Sequence, residues 1–255
     1  MLGGPLGAVF GAALGHNFDR GLGNIDIAGG LGGADVERIQ SAFFTATFSM
    51  MGYIAKSDGQ VSKVEISVAQ NIMQQMQLNS EQKKVAINLF KQGKKSDFPV
   101  NDILQQFKQE CHRRRNLMQM FIEILVMTAL ADGHLHPAEN KILNNSAQVL
   151  GFSAREYQEI LRRIQAQNHY HQGRAGRAGS VESTEMSLTD AYKLLGISRS
   201  VSDVELKKAY RRQMNQHHPD KLVSKGLPQE MMDIATQKTQ DIKAAYDLIK
   251  KSRKL

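Results

Sequence analysis

The chain has 255 residues, 41% of them hydrophobic and 23% charged, with a mean hydropathy of −0.39. These figures exclude a fibrous or intrinsically disordered protein. The single cysteine, Cys111, excludes an intramolecular disulfide and any zinc site built on two thiolates, and points to a reducing compartment. Aromatics at 6% with no tryptophan argue against base stacking as the main mode of recognition. The net charge of +8 is uneven: residues 187–255 hold 14 Lys and Arg against 8 Asp and Glu, while residues 1–186 hold 19 against 17. With 11 of the 21 glycines inside residues 1–33 as well, the chain reads as modular.

Residues 1–34 read as a glycine-rich membrane anchor and its exit. The run LGGPLGAVFGAALG (residues 2–15) carries no charge, and Gly3, Gly7, Gly11 and Gly15 recur at every fourth position. That spacing stacks them near one face of a helix, the small-residue mode by which helices pair in lipid. In water each such glycine costs about 1 kcal/mol of helix stability relative to alanine. Fourteen residues rise only about 21 Å, short of the ~30 Å of a bilayer core. Three readings compete. A secretory signal lacks its basic n-region. A flexible tail fits the glycine content. A single-pass transmembrane helix whose first residues precede this chain fits the glycine period best, and it predicts a homodimer through the glycine face, with Gly21 to Gly33 as the exit from the membrane.

Residues 35–167 show helical spacing throughout, as in Phe43, Phe44, Thr47, Phe48 and Met51, or Leu117, Met120, Phe121, Ile124, Leu125 and Thr128. The segment repeats at an offset of 74: Ala55 falls on Ala129, Asp58 on Asp132, Gly59 on Gly133, Glu65 on Glu139, and Met76 to Leu78 on Leu150 to Phe152. Each half is a helix, an Asp-Gly turn and a second helix, and neither half buries its apolar stripe alone. Asp58, Glu65, Asp132 and Glu139 form a candidate metal set at two equivalent corners, though without the 12-residue spacing of an EF-hand. The competing reading is capping, with Ser62 and Glu65 as a capping box and Pro137 at a first helical position ahead of Glu139. His134 and His136 fit turn positions. Cys111-His-Arg-Arg-Arg reads as a solvated face ahead of the next helix. On these motifs the segment resembles the TerB-like domains, all-helical modules with a paired acidic Asp-Gly repeat, some of which bind metal ions.

Residues 168–186 lack apolar periodicity and are rich in Gly, Ser, Arg and Glu, the composition of a linker. Its His169 and His171 make a weak metal motif.

In residues 187–255 Thr189 is placed to cap a short helix, Asp190 to Leu195, that stops at Gly196. Ser202 and Glu205 form a capping box for a helix that ends at His218, because Pro219 makes the α conformation costly there. On it Leu206, Ala209 and Tyr210 share one side, while Lys207, Lys208, Arg211 and Arg212 span an opposite arc of roughly 140°. Gly226 and Pro228 mark a break. A long helix then carries Ile234, Ala235, Ile242, Ala245, Tyr246 and Ile249 as its stripe, so two antiparallel helices hold His218-Pro219-Asp220 at their tip. Ala191-Tyr192-Lys193-Leu194-Leu195-Gly196, then Lys208-Ala209-Tyr210-Arg211-Arg212, then His218-Pro219-Asp220-Lys221, then Ala245-Tyr246 resemble the J-domain of the DnaJ co-chaperones in order and spacing. Gln213 and Thr239 depart from that pattern, standing where bulky apolar residues usually pack. The resemblance implies a basic helix that docks on a DnaK-type ATPase and a His-Pro-Asp loop that triggers ATP hydrolysis.

Together the modules resemble the membrane-anchored DnaJ-like co-chaperones of Gram-negative bacteria. That implies an all-α chain at the inner membrane with its body in the cytoplasm. The expected function is a non-enzymatic co-chaperone that stimulates a DnaK-type ATPase, while the TerB-like domain selects clients or senses a ligand. No cofactor and no nucleic-acid partner is expected. A metal-responsive or nucleic-acid-binding regulator is the alternative. An enzyme is disfavoured, because no Ser/His/Asp set, phosphate loop or metal motif has usable spacing.

Overall fold

The computed structural model describes residues 2–14, 34–57, 73, 74, 76, 78–130, 133–175 and 186–253. The described residues form helices without a strand, in accord with the expected all-α class. The body is built around α2 (Ala34–Ala55) and α5 (Arg115–Ala129), flanked by α3 (Ser80–Gly93), α4 (Val100–Glu110), α6 (Pro137–Val149) and α7 (Ala154–Ala175). A helix apolar on every side must be central. Phe43, Phe44 and Phe48 of α2 are accordingly fully buried, and so are Leu117, Phe121, Ile122 and Leu125 of α5. Phe43 meets Phe107 and Phe121 edge-on, at centroid separations of 5.8 and 6.0 Å.

The repeat persists in three dimensions and runs further than its sequence match. Asn79 caps α3 and its N–H donates to Gln82 (3.0 Å). Seventy-four residues on, the N–H of Ser153 donates to Glu156 (2.8 Å) at the start of α7. Pro137 opens α6, where Glu139 accepts from the His136 N–H (3.0 Å). Cys111 departs from its expected solvated face: it is wholly buried at the end of α4, and burial pushes its thiol pKa up. Of the basic run, Arg115 is engaged, bridging to Glu156 (2.6 Å) and lying over the Phe152 ring.

The N-terminal segment forms α1 (Gly4–Leu14), which lies on the body. Leu6, Val9 and Ala13 are buried there. Gln106 accepts from the Leu6 N–H (2.8 Å) and donates to the Gly3 carbonyl, while Asn88 donates to the Ala13 carbonyl at the other end. No helix among the described residues is long and apolar enough to cross a membrane. A Cβ at Gly3 or Gly11 would meet nothing, one at Gly7 would meet the Leu2 carbonyl, and Gly15 lies outside the described residues.

The remaining helices are α8 (Leu188–Leu195), α9 (Asp203–His217), α10 (Pro219–Val223) and α11 (Met232–Arg253), with a 3-10 turn at Gln229–Met231. The cap of α8 is Ser187 rather than Thr189: the Ser187 hydroxyl accepts from the Asp190 N–H (3.1 Å). Gly196 closes α8 at φ +67°. Helix α7 continues through Ala175, into the stretch whose composition predicts a linker, because its end has partners: His169 reaches Asp190 (3.1 Å) and His171 reaches Asp241 (2.9 Å). Residues 176–185 lie outside the described residues.

Helices α2 and α3 cross backbone to backbone. A Cβ on Gly52 would stand 2.0 Å from the Phe90 carbonyl oxygen, and one on Gly93 would stand 1.8 Å from that of Ser49. Neither oxygen can move without breaking its helix. Gly52→Ala should therefore lower unfolding stability by about 3 kcal/mol, read as an earlier urea midpoint at unchanged slope.

Candidate docking face and interdomain charge cluster

Helix α9 begins at Ser202, whose hydroxyl and N–H both pair with Glu205. It ends as expected at His218, whose ψ of 122° leaves the α region before Pro219. Leu206, Ala209, Gln213 and His217 face inward and are buried, whereas Lys207, Lys208, Arg211 and Arg212 are exposed. Tyr210 stacks on Tyr246 of α11 (centroids 4.1 Å apart, planes at 15°), which fixes the spacing of the two helices. At the tip Pro219 opens α10, Asp220 is exposed and His218 is half-buried. The Nδ1 of His218 is shielded and has no hydrogen-bond partner. Lys221 donates to Asn215, closing the loop back onto α9. Arg212, though exposed, borders a cavity with Arg115, Gln119 and Arg163 of the body.

Arg253 ties the opposite end. Its guanidinium donates to the Tyr192 hydroxyl, to the Val201 and Arg199 carbonyls and to Asp203, all within 3.0 Å. Sequence reasoning passed over it as one of several terminal basic residues.

The four carboxylates proposed for metal are not brought together in the described structure. Asp58, Glu65 and Asp132 lie outside the described residues, and Glu139 is held in its cap. Among the described residues no group of three or more His, Cys, Asp or Glu is placed to hold a metal ion.

A polar cluster that sequence reasoning missed joins the body to the C-terminal helices. Glu123 of α5 is buried and its carboxylate meets His217 Nε2 (3.0 Å to each oxygen), Lys238 Nζ (2.7 Å) and Gln119 Nε2 (2.7 Å). Gln216 donates to Gln119 (2.8 Å), and Lys238 also donates to Gln167 (3.3 Å). Asp241 accepts from Gln167, His171 and Gln237. Gln213, one of the departures from the J-domain pattern, is buried against a void of about 20 Å³ lined by Glu123, Arg163, Gln167, His217, Lys238 and Asp241. That is room for one water. A polar side chain suits that wall better than the apolar one usual there. The other departure, Thr239, is half-buried and turns its hydroxyl onto the Thr236 carbonyl (2.8 Å). The signal for the cluster was present in the sequence: Gln119 and Glu123 interrupt the apolar run of α5 one turn apart, and Lys238 sits within the stripe of α11.

Three families match the chain in series: a co-chaperone DjlA transmembrane domain over residues 1–25, a tellurite resistance protein TerB domain over 44–162 and a DnaJ domain over 190–254. A co-chaperone protein DjlA of Photobacterium profundum is 43% identical, covering 99% of this chain and 95% of its own length. The chain belongs to the DjlA co-chaperone family. Further relatives of that name come from Shewanella oneidensis, 44% identical over 94% of this chain and 88% of the relative, and Vibrio cholerae, 42% identical over 94% and 89%. No solved structure matches significantly. Membership makes the chain a membrane-anchored J-domain co-chaperone of a DnaK-type partner.

Burial alone would raise the Glu123 pKa, but His217 and Lys238 outweigh it and hold the carboxyl well below the usual carboxylate range. A depressed folded pKa stabilises above the ordinary carboxylate value and loses that contribution as pH falls through the folded one. The stability gap between wild type and Glu123→Gln should therefore narrow in acid, below about pH 4.5, as read by urea unfolding across pH.

Proposed function

We propose that α9 and the His218-Pro219-Asp220 loop dock on a DnaK-type chaperone and stimulate its ATP hydrolysis. The observation that carries this reading is the division of α9. Its apolar and polar-core residues are spent on the protein interior, while Lys207, Lys208, Arg211, Arg212 and the following Asp220 remain exposed. Exposed like charges without partners steer a complementary acidic surface and make encounter salt-dependent. The rigid Pro219 turn presents its neighbours without an ordering cost at binding. The protein does no chemistry itself in this reading, and the partner's hydrolysis supplies the energy.

The location follows from the same reading. A DnaK-type partner places the body in the cytoplasm, with the N-terminal segment crossing the inner membrane once. Gly11 on α1 and Gly3 just ahead of it are open in the structure, and with the segment in the membrane rather than on the body two copies would pair over these glycines. Gly7→Leu with Gly11→Leu should weaken that association in a membrane reporter assay, and an unchanged signal would remove the glycine face from the reading.

Single-turnover ATP hydrolysis by a bacterial DnaK, with the full chain in lipid nanodiscs, tests the central claim. Wild type should accelerate hydrolysis and His218→Gln should not, although both keep the same thermal melt. Replacing Lys207, Lys208 and Arg211 together by Glu should cut the association rate about ten- to a hundredfold at low salt and flatten its salt dependence. Stimulation that survives His218→Gln contradicts the reading.

A further inference from the structure

We propose that Glu123, a residue of the TerB domain, is a positioning residue for the His-Pro-Asp loop of the J-domain, acting through His217. The proposal rests on the docking role given above and concerns what holds the loop ready.

His217 is the last residue of α9 and the direct neighbour of His218. Its ring is fixed at both nitrogens: Nδ1 faces the Gln213 carbonyl (3.0 Å) and Nε2 faces the Glu123 carboxylate (3.0 Å). Both ring nitrogens thus face oxygen acceptors, which fixes the orientation of the ring. The same carboxylate takes Lys238 from α11. One anion of the body therefore ties together the two helices that carry the loop at their tip. Gln119, bonded to Glu123, adds a second tie through Gln216.

Beyond the loop the chain is anchored again in the body. Leu222, Leu227 and Met231 are fully buried within the body's own apolar core. Gln40 donates to the Leu227 carbonyl (3.4 Å), and Gln82 to Glu230 (2.6 Å). Gly226, at φ +101°, passes so close that a Cβ there would stand 2.6 Å from Ile39. Residues 218–221 are thus a short exposed span between two fixed points. Asp220 and Lys221 stay exposed, as do Lys207, Lys208 and Arg211, while His217 behind them is buried. A contact on the back of a binding loop that leaves its front open pre-orders the loop, and binding then loses little entropy. Without the carboxylate, His217 Nε2 and Lys238 Nζ would lose their shared buried acceptor, which loosens both helices from the body.

The full chain in nanodiscs is titrated against DnaK in single-turnover hydrolysis, comparing wild type with Glu123→Gln, His217→Gln, the double variant and Lys238→Met, each at a temperature where it is fully folded. Hydrogen exchange of the Asp220 to Ser224 amides is followed in parallel. Glu123→Gln should raise the concentration for half-maximal stimulation at least about fivefold while the rate at saturation is kept, and should speed exchange at those amides at least about tenfold. The double variant should be no worse than the worse single one. Lys238→Met, which keeps the His217–Glu123 pair next to the loop, should shift the half-maximal concentration less than Glu123→Gln does. The proposal is overturned if Glu123→Gln leaves the half-maximal concentration unchanged or improves it, if the two single effects add, or if Lys238→Met shifts as far as Glu123→Gln. A wild type that fails to stimulate sinks the docking role, and the exchange rates then decide the positioning role by themselves.

Discussion

A carboxylate cut off from water has to be answered by positive charge, and Glu123 is answered from another module of the chain. Its two cations, His217 and Lys238, stand on the two antiparallel helices of the J-domain, and its own helix is the central one of the TerB domain. Coulomb attraction at 2.7–3.0 Å in a dry site strongly outweighs the same attraction at the surface. The geometry that keeps Glu123 ionised is therefore also the geometry that sets the J-domain on the body. The surrounding apolar residues, from Leu222 to Ala235, belong to the body's core rather than to the small core around Leu195, Leu206 and Ala245.

This arrangement divides the J-domain lengthwise. The end near Tyr192 and Arg253 is self-contained, held by its own core and by the guanidinium that gathers the chain termini of three helices. The end with His218 borrows its support. Lys207, Lys208 and Arg211 belong to neither core and stay exposed, so the support of α9 comes from Leu206, Ala209, Gln213 and His217 on its buried face.

The sequence carried much of this in local signals. Pro219 after His218 placed the helix end, Ser202 with Glu205 placed its start, and the apolar stripe of the last helix was read residue by residue. The repeat at an offset of 74 predicted a two-fold body, and the capping pairs Asn79–Gln82 and Ser153–Glu156 extend it past the stretch where the side chains still match. Local signals fail where a nonlocal contact decides. Ser187 and Thr189 both offer a hydroxyl, and only the helix direction chooses Ser187. Residues 168–175 have the composition of a linker yet stay helical, because His169 and His171 meet carboxylates 21 and 70 residues away. The interdomain cluster was visible only as polar residues out of place in apolar stripes, a pattern that names no partner until the fold supplies one. The acidic corners at Asp58 and Asp132 fall outside the described residues.

The borrowed support of the His218 end also orders events in time. The chain leaves the ribosome from its N-terminus, so the TerB domain is complete before residues 218–235 emerge. The segment from Leu222 to Met231 then has Ile39, Gln40 and Gln82 to pack against, because its partners all precede it in the chain. The joint between the two modules thus makes the placement of residues 222–235 conditional on a folded body.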